Sequence, residues 1–251
     1  MYNIKCGDCL ELVKELPDNS IDLIVTDPPY LIENTHAGGG SEFSKSIQNM
    51  NDELSGNNIV SGFNSEILNE YIRVLKKINI YIWCNGKQIP QYLDYFVNRH
   101  NCSFDILIWN KTNALPTFNN KYLTDKEYCL YFRKGGYCSP ASYEDAKTVY
   151  YQPINIIDKQ QWKHPTIKPL NIIETIIKNS SVEGDTILDC YMGSGTTGEA
   201  CANTNRKFIG FEISDKWFKI AEERIKQAYV RNGNKQSGEK TSEIPIKKFL
   251  F

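Results

Sequence analysis

Two consecutive prolines, Pro28 and Pro29, follow the apolar run Ile21 to Val25 and the pair Thr26-Asp27. Short apolar residues ending at a double proline describe a buried strand that must leave its sheet at once, because proline fixes φ and cannot donate to a ladder. The exit is chemically distinctive. The carbonyls beside the prolines have no neighbouring N–H to compete with them, Asp27 adds a carboxylate that only accepts when ionised, and Tyr30 adds a flat face for stacking. Two acceptors beside an aromatic ring suit a planar amine such as the exocyclic amino group of a nucleobase. Holding both its hydrogens would push the nitrogen toward a pyramidal shape and free its lone pair. An isolated Asp-Pro-Pro is more often just a turn ending a strand, so a second motif has to carry the reading further.

The rest of the chain alternates. A strand near Asn3 to Lys5 precedes Gly7-Asp8 and a helix with Leu10, Val13 and Leu16 on one side. Helical spacing of Ile67, Leu68, Tyr71, Ile72 and Leu75 is followed by a strand over Ile78 to Trp83. A helix at Leu93, Phe96 and Val97 comes next, then strands over Phe104 to Trp109 and Glu127 to Phe132. After a helix at Ile172 to Ile177 come a strand at Thr186 to Asp189, a helix from Thr196, a strand at Lys207 to Glu212 and a long helix through Trp217 and Ile225. Such alternation predicts a largely parallel α/β sheet with helices on both faces.

Two stretches break the rhythm: a polar segment over residues 31–63, expected to be a mobile functional loop, and an irregular, tyrosine-rich stretch over 134–163, a candidate recognition insertion. From Arg231 onward the chain reads as a polar, loose tail. With 251 residues and 41% hydrophobic content the chain can bury a full core, while a net charge of −1 gives no global attraction to nucleic acid. The eight cysteines are scattered through apparent strands and helices, and Cys6 and Cys9 form a lone C-x-x-C without the second pair a zinc site wants. Three scattered histidines add no metal or nucleophile constellation, so no metal is expected. Without a signal peptide or an apolar spanning segment, the expectation is a cytoplasmic protein with reduced thiols and no membrane partner.

The second motif is Gly193-Ser194-Gly195-Thr196-Thr197-Gly198, between a strand and a helix, with Glu212 closing the following strand. By spacing alone it is a dinucleotide fingerprint. Asp189 argues otherwise: an acid under the glycine turn repels a pyrophosphate and attracts an ammonium. S-adenosylmethionine has no phosphate, carries an α-ammonium and a sulfonium, and offers ribose hydroxyls to Glu212.

Together these motifs resemble the DNA amino-methyltransferases of the permuted β group, in which the Asp-Pro-Pro-Tyr half precedes the cofactor half. The resemblance covers most of residues 3–228 and includes Gly7-Asp8, Thr26 to Tyr30, His164-Pro165-Thr166-Ile167-Lys168-Pro169, Leu188-Asp189, Met192 to Thr197 and Ile209 to Glu212. It implies a circularly permuted Rossmann-like class I methyltransferase fold with seven strands, the last antiparallel. Residues 1–133 form the catalytic half, 134–163 the recognition insertion, 164–230 the cofactor half and 231–251 the tail. The implied reaction is methyl transfer from S-adenosyl-L-methionine to the amino nitrogen of a flipped-out base in double-stranded DNA. Asp at the first lip position resembles the adenine-modifying members, with cytosine N4 as the runner-up. An NAD-linked oxidoreductase leaves Asp27 and Asp189 without a purpose, and a silent DNA-binding protein leaves the intact Asp27 and Glu212 unexplained.

Carried over residue by residue, Asp27 and the Pro28 carbonyl hold the amino group and Tyr30 stacks on the base. Asp8 contacts the cofactor adenine, Asp189 the methionine ammonium and Glu212 the ribose, with Gly193, Gly195 and Thr196 forming the turn. Thr166 and Lys168 border the methionine end, although Lys168 also reads as a solvated lysine at a helix start. The chain departs from the family pattern in having Cys190-Tyr191 where Pro-Phe is common and Ile167 where Gln is common. Family members of this order often pair as homodimers, and they are bacterial or phage enzymes working on the nucleoid, some with a partner nuclease; the sequence leaves both partners open.

Overall fold

The computed structural model describes residues 1–30, 62, 64–114, 122–154, 156–162 and 166–237. The expected loop over 31–63 lies outside them except for Gly62 and is not described further. In chain order the elements are β1 (Tyr2–Cys6), α1 (Cys9–Lys14), β2 (Leu23–Thr26), α2 (Ile67–Val74), β3 (Ile78–Cys84) and α3 (Ile89–Tyr92), which continues as a π-helical stretch over Leu93–Arg99. Next come β4 (Ser103–Lys111), β5 (Lys126–Lys134), β6 (Val149–Gln152), α4 (Ile156–Trp162), α5 (Leu170–Ser180), β7 (Thr186–Asp189), α6 (Thr196–Asn203), β8 (Lys207–Glu212) and α7 (Asp215–Ser237).

One sheet runs through the molecule in the order β1-β8-β7-β2-β3-β5-β4-β6. Pairing is parallel except at β5, the last strand of the N-terminal half, which runs against both β3 and β4. Seven strands were expected and eight are present. The extra one, β6, lies in the stretch expected to be irregular: four residues of it pair with Ile108 to Lys111 and so extend the sheet edge, and α4 follows. The tail also differs, because α7 continues helical past Arg231 to Ser237. Among the described residues no helix is long and apolar enough to cross a membrane, and all eight cysteines are free thiols.

Strand alternation assigns the two cores. Ile24 of β2 and Ile80, Ile82 and Cys84 of β3 pack with Val13, Leu68, Tyr71 and Phe96, under α1, α2 and the π-helical stretch. Leu23, Val25, Tyr81 and Trp83 point the other way, onto Ile172 and Ile176 of α5, Ala200 of α6 and Ile225 of α7. Gly195 lets the glycine turn close against this second layer: its φ is +82° and an added Cβ would lie 3.1 Å from the Ala221 backbone. Gly195→Ala is therefore expected to lower stability by about 1–3 kcal/mol, read as a fall in Tm, with the strained backbone and the helix contact both contributing.

Candidate active site

Parallel strands end on one side of the sheet, and ligands of open α/β folds bind outside those carboxyl ends where the strand order reverses. Here the reversal falls between β7 and β2, so Asp189 and Asp27 arrive side by side although the motifs that carry them lie far apart in sequence. The Thr26 hydroxyl donates to Asp189 Oδ1 across the junction (2.9 Å, buried). A cavity of about 570 Å³ opens above it, lined among others by Asp8, Asp27, Tyr30, Asp189, Gly193 and Glu212. Pro28, Thr166, Lys168 and Thr196 line it too. Gly195 alone among the expected site residues does not; it shapes the turn from behind.

At one end the carboxylates are pre-set by the backbone. Gly193 N–H donates to Glu212 Oε2 (3.0 Å) and Ser214 N–H to Glu212 Oε1 (2.8 Å). Burial raises the Glu212 carboxyl above the usual range, against the pull of these N–H groups. Asp8 caps α1, its Oδ1 accepting from Leu10 N–H (2.9 Å) and Glu11 N–H (3.2 Å). Gly7 N–H bonds the Glu212 carbonyl (2.9 Å), which ties the ends of β1 and β8 together. Asp189 accepts from Thr197 Oγ1 (2.7 Å) and Tyr191 N–H (3.1 Å) besides Thr26, yet burial still pushes its carboxyl up to about 7. Under the glycine turn Arg224 of α7 is fully buried, bonded to Glu199 (2.7 Å) and Thr196 Oγ1 (2.9 Å). Cys190 and Ile167 are buried, so those departures from the family pattern act in packing, whereas Tyr191 lines the cavity itself.

Lys168 is where the sequence reading has to be corrected. It lines the cavity with Thr166, but it is not the solvated lysine that a helix start also allowed. Its side chain is 8% exposed, its Nζ is 2.5 Å from Asp27 Oδ2 and 3.1 Å from Glu127 Oε2, and it lies over the rings of Tyr30 and Trp83 at 5.5 and 5.3 Å. Lys111 completes the chain of charges at 2.5 Å from Glu127 Oε1. Asp27 Oδ1 is buried with no partner in hydrogen-bond geometry; the Tyr30 hydroxyl is a polar group next to the carboxylate, and it too lacks a partner in that geometry. Glu127, Lys111, Trp83 and Gln88 were not anticipated. Gln88, itself buried, donates from Nε2 to the Pro29 carbonyl (3.1 Å) and so fixes the lip.

Among the described residues Lys168 is the only basic side chain lining this cavity, and two carboxylates already hold it. The glycine-turn end presents carboxylates and no cation, which suits a positively charged nucleoside without phosphates and would repel a dinucleotide. The residues present therefore fit S-adenosylmethionine.

An open α/β sheet with a Pro-Pro acceptor lip beside a carboxylate-lined nucleoside site defines a group-transfer enzyme acting on a planar amine. The chain belongs to the DNA methylase family, whose model matches residues 21–223. It is 31% identical over 242 residues to the type II methyltransferase M2.MboI of Moraxella bovis, covering 89% of this chain and 87% of that protein. It is 30% identical over 268 residues to the type II methyltransferase M.HpaI of Haemophilus parainfluenzae, covering 96% and 78%. Among solved structures, the M1.HpyAVI–SAM complex superposes with a TM-score of 0.65 at 26% identity, over 89% of this chain and all of the other.

Proposed function

We propose that this S-adenosylmethionine-dependent DNA methyltransferase acts on the N6 amino group of adenine flipped out of duplex DNA. The observation that carries the reading is the unpartnered Asp27 Oδ1 on the lip, beside Tyr30. An unpaired buried acceptor is costly unless a ligand donor meets it, and an exocyclic amino hydrogen is such a donor. In this reading the Pro28 carbonyl takes the second hydrogen and Tyr30 stacks on the base. Asp8 meets the cofactor adenine, Glu212 the ribose and Asp189 the ammonium, while Thr166 borders the methionine end. Bound there, S-adenosylmethionine supplies the methyl group, with the broken C–S bonding pair staying on sulfur. Asp27 aligns the nitrogen beforehand and takes a proton only after methylation has made the nitrogen acidic. Asp rather than Ser at the lip favours adenine over cytosine N4.

The test is product formation on mixed-sequence duplex DNA followed by nucleoside analysis. N6-methyladenine is the expected product, and N4-methylcytosine would overturn the choice of base. A homodimer would have an apolar strip available on the sheet edge, where Phe104, Ile106, Val149 and Tyr151 are exposed. If the segment over 134–163 holds DNA, Lys134, Lys147, Lys159 and Lys163 are its candidates for phosphate contacts; Lys147 already pairs with Glu144 (2.7 Å) and Lys134 with the His100 carbonyl (3.0 Å). Lys163 and the side chain of Lys159 lie outside the described residues.

Placing the ammonium at Asp189 has a pH consequence. The carboxyl is protonated below about 7 and must ionise to pair with a cation. Affinity for S-adenosylmethionine should therefore fall as pH is lowered from about 7.5 to about 5.5, by at most about tenfold per pH unit. Calorimetric titration across that range checks it, and a flat profile would remove Asp189 from the ammonium role.

A further inference from the structure

Four charged groups from four parts of the chain form one line at the lip: Lys111 ends β4, Glu127 begins β5, Lys168 leads into α5 and Asp27 follows β2. Topology explains the meeting. Because β5 runs against β3, its beginning lies at the carboxyl ends of the parallel strands, level with the lip. Alternation then puts Glu127 on the same face as Cys129 and Tyr131, and Lys111 with Leu107 and Trp109, under α5.

We propose that Lys168 and Glu127 are positioning residues for methyl transfer: Lys168 pins Asp27 Oδ2 so that Oδ1 is left as the acceptor for the amino hydrogen, and Glu127 divides the Lys168 charge between two carboxylates. The inference rests on the reading of Asp27 given above. Two carboxylates share one ammonium, but among the described residues only Glu127 has a second cation. Burial raises Glu127, yet Lys168 and Lys111 outweigh it and hold the carboxyl at about 2. Burial raises Asp27, Lys168 pulls it back and Glu127 pushes it up again, so Asp27 stays above the ordinary carboxylate range. The environments drive the pair apart, leaving a spectator anion and a proton acceptor. Lys168 stays charged despite burial because both carboxylates face it.

When the nitrogen has gained its methyl group it carries a positive charge and two hydrogens. One N–H bond breaks with its electron pair staying on nitrogen, the proton forms an O–H bond at Asp27 Oδ1, and the product is a neutral methylamino group beside a neutral carboxyl. A carboxylate held fully by one ammonium would accept that proton less readily.

The other titratable groups facing Asp27 are Tyr30, Cys84, Cys129, Tyr92 and Asp189. Burial pushes Tyr30, Cys129 and Tyr92 up and Cys84 to about 12, so across the neutral range they stay uncharged and only Asp189 titrates.

The experiment is a ¹³C-carboxyl NMR titration of the full chain without cofactor, with the Asp27 signal assigned by its loss in Asp27→Asn. Removing the Glu127 charge with Glu127→Gln should move the Asp27 midpoint down. Removing the Lys168 charge with Lys168→Met should move it up, and Lys168→Arg should restore it. In turnover, Glu127→Gln should lower kcat about tenfold and shift its acid limb downward, with KM for DNA and cofactor Kd unchanged. A purely structural role predicts no opposed shifts. Midpoints that stay put or move together in variants that bind S-adenosylmethionine normally would overturn the proposal. Should Lys168→Met not fold, the direction for Glu127→Gln decides alone. A wild-type protein that makes no methylated nucleoside defeats the functional reading instead, a result distinct from the NMR outcome.

Discussion

Asp27→Asn is expected to lower kcat on the order of 10²–10³-fold while leaving the Kd for S-adenosylmethionine within about twofold of wild type. The ion pair with Lys168 decides how the new amide sits. Its NH₂ cannot face the Lys168 ammonium, donor against donor, so the amide oxygen takes the Oδ2 position 2.5 Å from Nζ and the NH₂ takes the place of Oδ1. The one acceptor left over for the amino group thereby becomes a donor pointed at its hydrogens. Loss of a charge-assisted bond is worth roughly 2–3 kcal/mol, or tens to hundreds in rate, and displacing the nitrogen from its line of attack adds the remainder. Asp189 and Glu212, which do not depend on Lys168, keep the cofactor site intact. The measurement is single-turnover methyl transfer together with cofactor titration of both proteins. Full activity in the variant would exclude the role given to Asp27, and a parallel loss of cofactor affinity would mean that the carboxylate supports the fold rather than the reaction.

Residues brought to the cavity by a strand end were readable from the sequence, and residues brought there by strand direction were not. Asp27, Asp189 and Glu212 each close an apolar run, and glycines or prolines after the run announce the exit, so local chemistry alone points to them. Glu127 also stands at a strand boundary, but at the beginning of one. In a parallel sheet that is the wrong end for a site, and only the reversal of β5 brings it to the lip. The signal that could have found it was an acid leading an otherwise apolar strand, Glu127 before Tyr128 to Phe132. For a related reason Lys168 showed no sign of its ion pair. Beside Pro169 at a helix start it looks solvated, and its partner Asp27 is 141 residues away, beyond any local pattern. β6 was missed because its four residues, Val149 to Gln152, are exposed or half-buried at an edge, so they lack the apolar alternation that marks a strand.

Glu212→Ala should weaken S-adenosylmethionine binding about 10- to 150-fold, the equivalent of roughly 1.5–3 kcal/mol for hydrogen bonds to a charged acceptor. The carboxylate is held before any ligand arrives, one oxygen on Gly193 N–H and the other on Ser214 N–H, so no rotamer entropy is lost when ribose hydroxyls dock on its remaining lone pairs. That preorganisation makes the conservative change nearly as damaging as the truncation. In Glu212→Gln the NH₂ would oppose either Gly193 N–H or Ser214 N–H, and whichever is displaced turns the other acceptor away from the ribose. Gln is therefore expected to behave like Ala, whereas a site using only the bulk of Glu212 would tolerate it. Calorimetric titration of the two variants separates these cases, with Asp27→Asn as the control that should bind normally. The same titration with NAD tests the dinucleotide reading of the glycine turn: the carboxylates of Asp8, Asp189 and Glu212 around the cavity oppose a pyrophosphate, and binding of NAD as tight as that of S-adenosylmethionine would contradict the electrostatic basis of the cofactor site.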